Sequence, residues 1–167
     1  ELVRDYDARF KVNPPLRRAE DVQAVREGLA DGTIDIVATD HAPHPREHKA
    51  CEWQAAANGM VGLESALRVV HETMVATGAL TWAYVARVMS RTPADIGRLA
   101  GYGTPLEAGA AASFTLYDPS PRGEFGLGDL RGRSVNSPYL GRELPGSVRW
   151  TLHRGVVTLR DGRVVDL

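Results

Sequence analysis

The chain has 167 residues, enough for one ordinary domain, and 43% of them are hydrophobic, which supplies a sizeable core and argues against extensive disorder. Lys and Arg number 20 against 21 Asp and Glu, a formal charge of -1, so no polybasic face exists to attract nucleic acid or an anionic membrane, and a small-molecule partner is expected. The one cysteine, Cys51, excludes an internal disulfide and a thiolate zinc cluster, and no apolar run reaches the roughly 18 residues of a membrane span.

The charged opening ELVRDYDARF has no signal-peptide core, and a cytoplasmic protein is expected. The chain begins at Glu1 without Met, as a portion of a longer protein would. ARFKVNPPLR then alternates apolar positions until Pro14 and Pro15, which remove two backbone donors and favour extended geometry at Asn13, so a strand ending at Asn13 is expected. From Asp21, Val22, Val25 and Leu29 fall at helical spacing and Gly32 supplies a stop, which predicts an amphipathic helix. Ile34, Ile36 and Ala38 share one strand face with Asp40 and Val37 takes the other, the pattern of a buried parallel strand.

Residues 41–61 carry charges, Gly59 and no period, and predict a long loop of the kind that is usually functional or mobile. Leu63, Ala66, Leu67, Val70 and Met74 predict a second helix with His71 beside its apolar stripe. A third is expected from Trp82 to Met89, capped by Thr81, and a fourth short one from Thr92 and Pro93, ended by Gly101. After about residue 105, SFTLYDP, SVRWTLHRG and VVTLRDGRVV are short β-rich runs, with Asp161-Gly162 as a hairpin signal.

This order is that of an α/β protein with a parallel sheet, yet two parallel strands cannot cover their own edges and faces. An eight-stranded α/β barrel takes about 250 residues. Residues 1–104 are therefore expected to be its last strand-helix units with the active-site loop, and 105–167 a small β module.

In such barrels, catalytic groups stand where strands end at the C-terminal rim, the place of Asp40 in TIDIVATDHAPH. Facing the barrel axis with Ile34 and Ile36, its carboxylate could bind a cation or take a proton from a metal-bound water. It could equally do no more than cap the following turn. His44, after a stiffening proline, could donate to an anionic substrate or stand solvated. His41 points to the other side and reads as structural. His48, His71 and His153 have no partner motif. HAPH lacks the ligand pairs of a local structural zinc site, no Ser occupies a nucleophile elbow, and GLGDLRG has the wrong context for a phosphate loop.

Taken in order, KVNPPLR, DGTIDIVATDHAPH, NGMVGLESAL and NSPYLGRELPG resemble the C-terminal part of dihydroorotases of the bacterial class I type, cyclic amidohydrolases of the amidohydrolase superfamily. The likeness covers nearly the whole chain. It implies a zinc-dependent enzyme of pyrimidine biosynthesis that interconverts N-carbamoyl-L-aspartate and L-dihydroorotate, with two zinc ions in the complete enzyme. It implies that Asp40 contacts the metal site and acts as general acid and base, and that Asn13 and His44 contact the substrate. It also implies that Asn58 and Gly59 touch the pyrimidine ring, largely through backbone, although Asn58 departs from the Phe or Pro usual there. The family's His-x-His-x-Arg motif occurs nowhere in these residues. The chain alone is therefore expected to be inactive and to need the N-terminal part of the enzyme, which also supplies the rest of a composite β-sandwich. A homodimer is expected. Two other readings stand beside this one: a related cyclic amidase such as allantoinase or dihydropyrimidinase, and an inactive scaffold that associates with aspartate carbamoyltransferase.

Overall fold

The computed structural model describes Val3 and residues 5–165. They form two compact units. The first takes in the described residues as far as Gly28, with Ala38–Leu67 and Glu124–Glu143; the second takes Leu29–Val37, Arg68–Gly123 and the described residues from Leu144. Both units draw on residues either side of position 105.

The first unit opens with a 3-10 turn, Ala8–Phe10. Asp7 caps it, its Oδ1 accepting from the Arg9 amide at 2.8 Å while its Oδ2 takes the Arg9 guanidinium at 2.6 and 2.8 Å. Those hydrogen bonds with Arg9 hold the Asp7 carboxyl below the usual carboxylate range. The strand expected to end at Asn13 does not form. The local side-chain cap competes with extension, and no neighbouring strand supplies a ladder. Helix α1, Ala19–Asp31, agrees with the periodicity, and Gly32 ends it at φ 88°, a left-handed conformation open to glycine. Of its apolar positions Leu29 is buried, whereas Val22 and Val25 are exposed.

The stretch 33–40 forms no ladder, so the expected buried parallel strand is absent among the described residues. Its one backbone hydrogen bond outside helices and strands runs from Val37 N–H to the Val88 carbonyl at 3.0 Å. A strand exists by pairing, and an apolar run without partners on its edges cannot turn alternate side chains into a sheet face. An isolated parallel bridge does join His41 to Met60, at the two ends of the predicted loop. Within that loop one helical turn, α2 (Arg46–Lys49), is present.

Helix α3, Ala66–Val70, runs on into a wide π-helical turn, His71–Val75, and buries Val70, His71 and Met74. Helix α4, Trp82–Ala86, starts at Thr81 as expected, the hydroxyl accepting from the Tyr84 amide at 3.3 Å. It continues through a π turn, Arg87–Arg91, into α5, Thr92–Ile96. The fourth helix is thus an extension of the third. Thr92 cannot cap it, because its own N–H already bonds the Arg87 carbonyl, and the wide turn absorbs the donor that Pro93 lacks. Gly97, not Gly101, follows its last residue.

Strands β1 (Phe114–Glu124), β2 (Glu143–His153), β3 (Val156–Arg160) and β4 (Arg163–Val164) lie side by side in that order, with β2-β3 and β3-β4 antiparallel. Pro119 and Pro121 cost β1 little because it lies at an edge. The hairpin signal is met: Asp161 and Gly162 have φ of 48° and 74°. Arg154 and Gly155 repeat the device at 50° and 85°, although Arg-Gly is not among the usual hairpin signals. No helix among the described residues is long and apolar enough to cross a membrane.

The second unit buries a polar contact that makes it sensitive to acid. His71 Nδ1 lies 3.0 Å from the Tyr117 hydroxyl, which itself donates to the Pro145 carbonyl at 3.0 Å. With that hydroxyl proton committed, His71 must carry its own proton on Nδ1. Burial, then the Arg122 charge, depress its pKa below the ordinary 6.5, and burial pushes Tyr117 up to about 12. The unfolded chain therefore binds the more protons, so the stability present above pH 6.5 is lost as pH falls below it. Urea unfolding followed through Trp82, whose ring is 4.9 Å from His71, should give a lower midpoint at pH 5 than at pH 8, and H71Q should shrink that difference.

Candidate active site

The turn after Asp40 is built by hydrogen bonds to backbone rather than by regular structure. His41 Nδ1 accepts from the Gly62 and Leu63 amides at 3.1 and 3.3 Å, which fixes its proton on Nε2 and confirms its structural reading. The Ala42 amide donates to the Met60 carbonyl at 2.9 Å. His44 then points its Nε2 at the Asn58 carbonyl, 2.9 Å away. A carbonyl only accepts, so this nitrogen carries the proton, and Nδ1 is the position left for an external partner.

Asn136, 3% exposed, closes the turn from below. Its side-chain oxygen accepts from the His44 amide at 3.3 Å, and its amide group donates to the carbonyls of Ala42 and Gly59 at 2.9 and 3.2 Å. Its own carbonyl accepts from Val61 N–H at 3.2 Å. Asn136 lies in the NSPYLGRELPG motif, which on sequence assigns it no role. A buried amide able to donate and accept at once is what an irregular turn needs, but nothing local in the sequence marks it as buried.

Gly59 is required by geometry. Its φ is 138°, and a Cβ there would stand 2.6 Å from Ala42 Cβ and 2.9 Å from His44 Nε2. The glycine lets the 58–59 backbone approach the imidazole directly. His44, Asn58 and Gly59 are thus brought together as one group.

Asp40 and Asn13 stand apart from it. Both are exposed, and among the described residues neither side chain makes a hydrogen bond or ion pair. The expectation of an inward-facing Asp40 on a strand is not met within this chain, since the 33–40 run has no sheet. The capping alternative fails too, because its carboxylate accepts nothing from the turn. Asp40 has φ 45°, a left-handed conformation that aspartate tolerates and most residues avoid, and such backbone tends to gather at functional sites. Beside His44 lies a cavity of about 280 Å³ lined by Asp7, Arg9, Arg46, Lys49 and Asn136, cationic on balance.

Among the described residues no three of His, Cys, Asp and Glu come together in a group able to hold a metal ion. Asp40 offers one carboxylate, whereas a catalytic zinc takes about three protein ligands. The donor set of this chain does not by itself fit a zinc ion.

Superposition on solved structures defines the class. The fold matches L-hydantoinase (dihydropyrimidinase) from Arthrobacter aurescens with a TM-score of 0.86 at 29% identity, over 99% of this chain and 37% of that one. D-Hydantoinase (dihydropyrimidinase) from Thermus sp. gives 0.81 at 27%, over 95% and 35%. The chain therefore has the fold of a C-terminal part of the cyclic amide hydrolases of the amidohydrolase superfamily. Within that class it belongs to the dihydroorotase family: it is 66% identical over 166 residues to the dihydroorotase of Leifsonia xyli and 60% identical over 164 to that of Streptomyces coelicolor. It covers 38% of the length of each, while they cover 99% and 98% of it. No family model matches the chain.

Two substitutions test the turn. Gly59→Ala should cost about 1–3 kcal/mol through the left-handed φ and the Ala42 overlap. Asn136→Leu should cost a similar amount, about 1–3 kcal/mol, by leaving the Ala42 carbonyl and the His44 amide without their partner. Chemical denaturation of the purified variants measures both.

Proposed function

We propose that the complete polypeptide is a cytoplasmic dihydroorotase, which reversibly cyclises N-carbamoyl-L-aspartate to L-dihydroorotate in pyrimidine biosynthesis, and that these 167 residues are inactive alone. Residues 1–104 are the last strand-helix units of its α/β barrel, with Asp40 at the rim, and 105–167 are C-terminal strands of its β-sandwich. The observation that carries this reading is the ATDHAPH turn. In a segment 66% identical to a dihydroorotase, it carries an uncommitted carboxylate in left-handed backbone four residues before His44, which is held with Asn58 and Gly59 in a group fixed from beneath.

Each residue then has a task. In ring opening, Asp40 takes the proton of the attacking water and hands one to the leaving ring nitrogen, breaking the C–N bond as the new C–O bond forms; cyclisation is the reverse. Asn13 donates a hydrogen bond to the anionic substrate, and His44 meets the same molecule through Nδ1, which accepts from a substrate N–H, so that the two hold it in position for attack. Asn58 and Gly59 contribute backbone to the ring, which the absence of a Cβ at Gly59 permits. The complete enzyme is zinc-dependent in this reading, with ligands other than Asp40 lying outside this chain; the ion would polarise the water and the amide carbonyl.

Asp40→Asn in the complete polypeptide should lower dihydroorotate turnover by about 10²–10⁴-fold with substrate binding largely kept. Wild-type turnover in that variant would contradict the general-base role. The fold is shared with hydantoinases, so a panel of dihydroorotate, dihydrouracil, hydantoin and allantoin separates the readings. Dihydroorotate should be preferred, and preference for any of the others overturns the assignment.

A further inference from the structure

In the loop that presents Asn58 and Gly59 the amides of Ala50, Ala55, Ala56, Ala57 and Gly59 donate to backbone carbonyls, whereas most of its own carbonyls from Trp53 to Gly59 are met by side chains. Two lysines account for this. Lys11 Nζ donates to the carbonyls of Trp53, Gln54 and Ala56 at 2.7, 3.1 and 2.7 Å. Lys49 Nζ donates to those of Lys11, Ala57 and Gly59 at 3.2, 2.9 and 3.0 Å. An ammonium has three N–H donors, so both groups are saturated.

The arrangement is unlike a solvated lysine. Lys49 is only 8% exposed, although lysine is among the residues least often buried, and no carboxylate is within ion-pair distance of it among the described residues. Its charge is met at hydrogen-bond distance by three carbonyls, with the Asp7 carboxylate acting on it from farther away. The two clamps also interlock: the Lys11 carbonyl takes one Lys49 proton and also the Gly59 N–H, at 2.9 Å. Gly59 is thereby held by its N–H on Lys11 and by its carbonyl on Lys49 and Asn136. Lys11 stands two residues before Asn13, and Lys49 five after His44. The pair ties the three segments that carry the substrate-contacting residues to one loop.

We infer that Lys11 and Lys49 are positioning residues, a two-ammonium clamp that sets residues 50–59 against His44 so that Asn58 and Gly59 meet the substrate in a preformed conformation. This rests on the dihydroorotase reading for the identity of the substrate, but not for the clamp. Neither lysine touches the reacting atoms. Their loss should therefore weaken binding more than chemistry.

The test uses the complete polypeptide with Lys49→Met and, because a buried site risks misfolding, Lys11→Met at the less buried position. Amide hydrogen exchange across 50–59 should speed up by about tenfold or more in each variant while the rest of the protein is unchanged. The KM for dihydroorotate should rise about tenfold with kcat within about threefold of wild type. Unchanged exchange in both variants overturns the clamp, whatever the activity. Faster exchange with an unchanged KM overturns the positioning role, as does loss of cooperative unfolding in both variants, which would make the lysines supports of the whole fold. A wild-type polypeptide that does not turn over dihydroorotate sinks the proposed function instead, and the exchange measurement still decides the clamp.

Discussion

A loop with little regular structure must still find partners for its backbone polar groups, and residues 41–61 live under that constraint. Several of their amides donate to backbone carbonyls, and the carbonyls of Ala42, Trp53, Gln54, Ala56, Ala57 and Gly59 are met by the side chains of Lys11, Lys49 and Asn136. Once these bonds are made the loop has one conformation. The closeness of His44 to Asn58 and Gly59 follows from it, and so does the need for glycine at 59.

The same constraint explains why the candidate site has two halves of different character. His44, Asn58 and Gly59 form a fixed group with internal hydrogen bonds, while Asp40 and Asn13 are exposed and uncommitted. Fixed groups that need no rearrangement suit ligand binding, and an uncommitted carboxylate suits proton transfer. The chain covers 38% of the length of its dihydroorotase relatives.

What could be read from the sequence divides along physical lines. Features encoded by neighbours in sequence were legible: α1 with Gly32, the Thr81 cap, and the Asp161-Gly162 turn. Features that depend on a distant partner were not. Ile34, Ile36 and Val37 have the composition of a buried strand, but a strand requires a ladder. Pro93 marked a helix start on propensity alone, and a π turn carried the preceding helix through it. In the site, the ATDHAPH motif marks Asp40 and His44 by residue type, whereas Asn136 and the two lysines act through contacts that span 8 to 94 positions. Lys49 in particular is one charge among several in a stretch read as a loop, and nothing beside it in sequence marks its burial.

If the turn after Asp40 and the lysine-held loop form one substrate site, a crystal structure of the complete polypeptide with dihydroorotate will show the ring against the 58–59 backbone, with His44 and the Asp40 carboxylate both within hydrogen-bond reach of the bound molecule or its attacking water. A ligand bound elsewhere, or an Asp40 side chain directed away from it with the 50–59 loop rearranged, would contradict the claim.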